Sequence, residues 1–397
     1  MPSAIALGAV PGHLQQSLSE LDRAIPIGGR DALLARAFEL RSGREKPNRF
    51  WKIDLDAIDF AAVRPAVAPP PQIRMPDGRG VLACDLQTAL RDHSELVARA
   101  LGSAVDRADS KFAALASALC NTGAFVYVQA DAAPGGPVEI AYDARDALFP
   151  YTLVLLERGA ECTVVERLRG HSNAFVAGIS EVVAEEGARA TYAALQNLPA
   201  DARALFSRSA RPGKDASCRW CVADLGASLT VETIETAVRS RGAQAEVTVL
   251  FFPTGDQHVD VISTVRHDVG ESQSRTLVKS AAAGRGQARY LGNIRIAPHA
   301  QATDAALRDD ALLLSKRAHI DSVPALEIAA NDVKAYHGAT VGALDEDQIF
   351  YMTSRGIERQ QAETMIALGF FEPAIEHFPE NALREEVRAA LRAKVSA

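Results

Sequence analysis

The sequence predicts a mainly β chain in which one long block of strands lies between helical terminal regions, with a β-solenoid favoured over a sandwich or a barrel. Three observations carry this reading. From Ala124 to about Gly342 apolar residues recur with period two, as in Ala245, Val247, Val249 and Phe251, or Tyr290, Gly292, Ile294 and Ile296. On either side of that block the period is helical. The block holds almost no helical stretch, which excludes a doubly wound α/β sheet, whose parallel strands need crossover helices. Small turn residues favour the solenoid, and a Gly-Ala pair introduces several strands, at Gly123, Gly159, Gly187, Gly226, Gly242 and Gly338. A coil of a solenoid buries its apolar face only on its neighbours, so the helical ends are expected to cap the open edges.

In chain order, residues 1–122 read as a helical region. Leu14, Leu18 and Leu21, then Leu33, Leu34, Ala37 and Leu40, keep helical spacing. Pro65, Pro69, Pro70 and Pro71 break the pattern between residues 64 and 72, where missing donors and fixed φ force an extended linker or arm. Leu86 to Leu101 and Phe112 to Leu119 restore the helical period, which stops at Asn121-Thr122-Gly123. Residues 123–343 form the strand core. Residues 344–397 return to helix, opening on Asp345 with Gln348 at capping-box spacing and reaching a stop at Gly356. A second helix carries Ala362, Met365, Ile366, Gly369 and Phe370 before Pro373 interrupts or kinks it. Apolar content there, with Phe371, Ile375 and Phe378, exceeds what a small helix pair buries internally and suggests a docking surface.

Composition narrows the function. The 397 residues are 48% hydrophobic and 23% charged, which excludes global disorder, and a net charge of −7 gives no basic field to draw nucleic acid or anionic lipid. The longest apolar runs fall far short of the roughly 20 residues that span a bilayer, so no membrane span is expected. No secretion or transit pattern opens the chain, and a cytoplasmic location is the expectation. The five cysteines are too few and too scattered for a disulfide scaffold.

Chemical motifs are mostly missing. There is no Walker loop, no third glycine after Gly284-Arg285-Gly286, no GxSxG and no HExxH, so nucleotide binding and two common hydrolase classes are not expected. Cys218 and Cys221 form a lone CxxC on a strand-like segment, where residues three apart face opposite ways, and read as packing thiols. His258 and Asp260, with His267 and Asp268 on what reads as the next strand, could be the acid–base cluster of a carbohydrate-active solenoid enzyme. The competing reading is a polar ladder facing solvent. His319 and His337 lie near the end of the strand block, His337 beside Gly338, where a ligand could approach the backbone.

From Asp304 to Ile357 the chain carries Leu312-Leu313-Leu314-Ser315, Ala318-His319-Ile320-Asp321, Pro324-Ala325-Leu326-Glu327-Ile328, Asp332-Val333-Lys334, His337-Gly338-Ala339-Thr340-Val341-Gly342, Leu344 to Tyr351 and Ser354-Arg355-Gly356-Ile357. In this order the segments resemble the core of the SufB/SufD family of iron–sulfur cluster assembly scaffolds. Weaker likeness lies in Gln257 to Asp260, in Gly292-Asn293-Ile294 and in Phe50-Trp51-Lys52. The resemblance implies a right-handed parallel β-helix flanked by α-helical N- and C-terminal regions. It also implies a non-enzymatic scaffold that pairs with a SufB-like protein through the β-helix and docks a SufC-like ATPase through its C-terminal helices. A transient iron or nascent iron–sulfur cluster would form at the subunit interface, and the partner would bind the nucleotide.

Two positions resemble the SufD form. Lys316-Arg317-Ala318-His319 lacks the cysteine that SufB carries there, and His337-Gly338-Ala339-Thr340 replaces the His-Glu-Ala-Thr of SufB. The resemblance makes His337 the expected iron ligand, with Ala335 where SufD proteins often have cysteine. It makes Phe350, Tyr351, Met365, Ile366 and Phe370 the expected docking residues. A self-paired homodimer is the alternative assembly.

Overall fold

The computed structural model describes residues 10–40, 58–60 and 62–395, so the Phe50-Trp51-Lys52 element lies outside the described residues. The strand block winds into a parallel β-solenoid, as the period-two pattern predicts. One sheet, called A, contains β2 (Val81–Asp85), β3 (Thr122–Val128), β6 (Pro150–Leu156), β8 (Phe175–Ala184), β10 (Arg203–Pro212), β12 (Leu229–Val238), β14 (His258–His267), β16 (Gln287–Ile296) and β18 (His319–Ile328), with β5 (Ala147–Leu148) beside β8. Sheet B contains β1 (Gln72–Arg74), β4 (Val138–Ala144), β7 (Glu161–Gly170), β9 (Arg189–Gln196), β11 (Ser217–Asp224), β13 (Gln244–Phe251), β15 (Gln273–Ala282), β17 (Thr303–Leu313) and β19 (Val333–Ala343). From β6 onward the chain alternates between the sheets, and each strand pairs in parallel with the one a full coil earlier. Phe175, Arg203, Leu229, His258, Gln287 and His319 therefore stack in one register.

One recurring turn sets the coil. Just before β7, β9 and β13, Gly159, Gly187 and Gly242 have φ of +68°, +68° and +73°. Asp215, Glu271 and Ala302 take the same left-handed conformation before β11, β15 and β17. Backbone bonds join these turns into a ladder, from Gly159 N to Glu186 O through Ala302 N to Asp332 O. Of the six glycines expected to mark the turn, Gly159, Gly187 and Gly242 do so. Gly123 and Gly338 lie within β3 and β19, and Gly226 packs against the Leu198 backbone.

The expectation that helices cap the ends of the solenoid is corrected. The first coil is closed by two short strands within the segment read as helical: β2 runs antiparallel to β3 and β1 antiparallel to β4. The proline stretch is an ordered extended arm, bound through Pro65 to Ala147 and from Ala68 N to Asn121 O. Helices α1 (Gly12–Ala24), α2 (Arg30–Glu39), α3 (Leu86–Asp92), α4 (Ser94–Ala100) and α5 (Lys111–Leu119) bury Leu14, Leu18, Leu34 and Leu115 in one cluster with Ile179, Leu205, Val231 and Ile262 on the outer face of sheet A. Flat apolar faces attract helices more than a sheet edge does, because an edge offers unpaired backbone groups that only another strand satisfies.

The loop after α4 is fixed by one carboxylate. Glu181 is fully buried and accepts from Gly102 N, Ala104 N, Val105 N and the Tyr151 hydroxyl at 2.8, 2.6, 3.1 and 2.7 Å. Glu181→Leu orphans those donors and should cost about 3 kcal/mol or more in denaturant unfolding. Glu181→Gln, which keeps acceptor oxygen, should cost less.

At the other end, α6 (Glu346–Ser354), α7 (Arg359–Ile375) and α8 (Asn381–Val395) follow the solenoid. Asp345 caps α6, accepting from Asp347 N at 2.9 Å and Gln348 N at 3.4 Å, and Gly356 follows the helix at φ +87°. Pro373 lies within the last turn of α7, which continues to Ile375. Phe371, Ala374, Ile375 and Phe378 are buried with Leu195, Leu250, Phe252 and Ala281 on the outer face of sheet B. Much of the apolar surplus read as a docking surface is therefore covered by the protein's own sheet.

The solenoid interior contains a charged cluster. Arg208, on the inward face of β10, has a side chain only 1% exposed and binds Glu166 Oε1 at 2.9 Å, Ser180 Oγ at 2.7 Å and Glu232 Oε2 at 3.2 Å. Glu166 also accepts from Tyr192 and Thr152. Among the described residues, Asp224 Oδ1 and Oδ2 and Glu232 Oε1 have no hydrogen-bond partner. Burial raises the Asp224 carboxyl to about 7 and lifts Glu232 well above the usual range, although Arg208 opposes both.

Candidate functional site: the open end of the solenoid

Among the described residues the outer edge of the last coil is unpaired. Among the described residues β18 pairs only with β16, and β19 only with β17, so each presents a free row of backbone donors and acceptors. Apolar side chains are exposed along the same edge: Val323, Ile328, Tyr336 and Val341. Such a pair of long, flat, partly apolar edges is a template for strand addition by another chain.

His337 lies on β19, exposed and in register with Leu307 of β17. Val333 and Ala335 pack toward the core, which places His337 on the inward row of the final coil, where no further coil covers it. Ala335 supplies no thiol beside it. His319 belongs to the outer row of β18 and pairs with Asp321 Oδ1 at 3.0 Å. Among the described residues no group of three His, Cys, Asp or Glu is arranged to hold a metal ion. His337 offers a single imidazole, a borderline ligand for iron.

Beneath β19, Asp309 and Asp310 point to opposite faces. Asp309 accepts from the Ser322 hydroxyl, tying β17 to β18, and burial raises its carboxyl to about 6. Asp310 accepts from Thr340 Oγ1 at 2.8 Å and from Lys279 Nζ at 2.8 Å. Lys279 Nζ lies 4.5 Å from the centroid of the Phe370 ring. A short chain of polar and cation–π contacts thus joins the edge strand to α7, a link with no local sequence signal because its contacting members are 30 to 91 residues apart in the chain.

The five expected docking residues divide. Phe350, Tyr351 and Met365 are 73%, 60% and 49% exposed, whereas Ile366 and Phe370 are partly buried. Exposed large apolar residues on α6 and the start of α7 form a second candidate surface.

The reading of a carbohydrate-active solenoid enzyme is overturned. His258, Asp260 and His267 all lie on β14, not on two strands, and they do not converge. Asp260 is buried and bonded to Arg289 at 2.7 Å. His267 faces the interior between Ser272 and Ser274, at 2.8 and 2.9 Å, and burial lowers its ring to about 4. The reading of a solvent-facing ladder fails for the same two residues. Cys218 and Cys221 do face opposite ways, one into the solenoid interior and one toward the C-terminal helices. Burial pushes both thiols up to about 12, and the other three cysteines to about 11 or 12. Each shift disfavours the thiolate form.

Among the described residues, this parallel β-solenoid ends in an unpaired double edge with two exposed imidazoles, His319 and His337, along it, a surface suited to strand addition by another chain. The family model described as "SUF system FeS cluster assembly, SufBD core domain" matches residues 140–370. The chain belongs to the SufBD family of iron–sulfur cluster assembly proteins. It is 29% identical over 327 residues to the iron-sulfur cluster assembly protein SufD of Bacillus subtilis, covering 80% of this chain and 74% of that protein. It is 26% identical over 307 residues to a SufBD family protein of Staphylococcus epidermidis, covering 76% of this chain and 66% of that protein. A Staphylococcus haemolyticus SufBD family protein matches at the same identity and coverage. Among the described residues no helix is long and apolar enough to cross a membrane.

Proposed function

We propose that this chain is a SufD-type, non-ATPase scaffold subunit that pairs with a SufB-like protein through β18 and β19 and docks a SufC-like ATPase through its C-terminal helices. The open double edge carrying His337 is the observation that supports it: a β-solenoid with a covered last coil could not pair this way. Iron or a nascent iron–sulfur cluster is the cargo, formed at the subunit interface with His337 as this chain's ligand.

His337→Ala should leave the solenoid folded, because the side chain is exposed, and should lower cluster yield several-fold when the chain is reconstituted with SufB-like and SufC-like partners. An unchanged yield would remove His337 from the site. Phe350→Asp combined with Tyr351→Asp should weaken copurification with tagged SufC-like ATPase by about tenfold or more, since exposed aromatics often anchor such interfaces. Undiminished copurification would move the docking surface elsewhere. Symmetric self-pairing of the same edges is the second reading, and light scattering with and without the SufB-like partner separates the two.

A further inference from the structure

Lys394 lies in the last turn of α8 and reaches across to the solenoid. Its Nζ donates to the Leu225 carbonyl and to Gln257 Oε1, each at 2.7 Å. Gln257 is itself held in place, accepting from Thr254 N at 2.9 Å and donating to Ala227 O at 2.6 Å. Both partners of the amine are neutral. Asp256, nearby, is turned away to Arg285. Lys214 and Lys279, by contrast, are paired with Glu186 and Asp310.

The amine also lines a cavity of about 440 Å³, together with Leu198, Gly226, Ser228, Thr254 and Gly255. This space is large enough for a small acyl group beside Nζ. Burial lowers the Lys394 ammonium to about 8, although the Phe252 ring at 5.9 Å favours the cation, so a substantial share is free base in mildly alkaline solution.

We propose that Lys394 is an acylation site for small activated acyl donors of the acyl phosphate class, and that its modification releases α8 from the solenoid. The Nζ lone pair attacks the acyl carbonyl carbon, and a C–N bond forms. The C–O bond to phosphate breaks, phosphate leaves with the electron pair, and the proton from nitrogen passes to solvent. Nothing is oxidised or reduced. The amide retains one N–H where the ammonium had three, so it cannot serve Leu225 O and Gln257 Oε1 together. At least one of the two hydrogen bonds that tie α8 to the solenoid is lost, and the hold on α8 weakens. The site is separate from the open solenoid edge and from the exposed Phe350, Tyr351 and Met365.

The test treats the full chain with acetyl phosphate between pH 7 and 9 and follows each lysine by peptide mass spectrometry. Lys394 is expected to acylate about tenfold faster than the ion-paired Lys214, with a rate rising through pH 8. Hydrogen exchange in α8 should quicken in the acylated fraction, and Lys394→Arg should keep α8 protected while blocking the modification. Labelling of Lys394 no faster than Lys214, or acylated chains with unchanged exchange in α8, would overturn the proposal. The rate comparison is made within the parent chain, so it holds even if the variant folds poorly.

Discussion

Arg208→Met is expected to destabilise the protein by about 4 kcal/mol, the range found when one partner of a buried ion pair is removed. Among the described residues the guanidinium is the one cation bonded to Glu166 and Glu232, whose side chains are 8% and 0% exposed. Met fills similar volume, so the loss reports charge rather than a cavity. Glu166 and Glu232 would then lose their bonded counterion in the solenoid interior, and Asp224 the cation that opposes its protonation, so protons must be taken up there. Denaturant unfolding at pH 7 reads the loss. Should the single variant not fold, the triple variant with Glu166→Gln and Glu232→Gln provides the second arm. It should recover most of the stability, because Glu166 and Glu232, the carboxylates bonded to Arg208, are then neutral and need no counterion. A single variant as stable as the parent would mean that the cluster is not closed to water.

The second large effect is a pH dependence that Asp224→Asn should remove. Asp224 is raised to about 7 in the folded chain against about 4 when unfolded. Between those values the folded state holds a proton that the unfolded state has released. The stabilisation is therefore complete below about pH 4, declines as pH rises, and is gone above about pH 7. His267, lowered to about 4, works in the opposite sense: its stabilisation is lost as pH falls from about 6.5 toward 4. Comparing variant with parent isolates the Asp224 contribution. Asp224→Asn should be nearly neutral near pH 4 and stabilising by up to about 4 kcal/mol at pH 8, measured by thermal or denaturant midpoints. A difference independent of pH would show that Asp224 does not hold the proton.

Parts of this architecture were readable from sequence because they rest on local rules. Period-two alternation gave the strands, since one side of each faces the interior. Asp345 and Gly356 bounded α6 through capping and left-handed geometry. The turn repeat was only half visible. Gly159, Gly187 and Gly242 announce their conformation, whereas Asp215, Glu271 and Ala302 adopt it inside a hydrogen-bonded ladder that no single residue signals. The assignment of His258 and His267 to separate strands failed because the ten-residue β14 is long enough to hold both. Asp260 and His267 then proved buried because polar residues on a strand can face a polar interior or a covered outer row, and alternation does not say which.

By itself the sequence determined the order of helix, strands and helix, the absence of a nucleotide loop, and the segment around His337 that resembles the SufB/SufD core. Each is a local pattern, written in spacing or residue type. The tertiary structure alone decided that the terminal helices cover sheet faces while, among the described residues, the edge of the final coil stays open, that Phe371 and Phe378 are buried at home while Phe350 and Tyr351 remain exposed, and that Arg208 binds two carboxyl groups in the solenoid interior. Those outcomes depend on which residues stack a full coil apart. Stacking is set by the winding of the whole solenoid, through hydrogen bonds between strands that no short stretch of sequence contains.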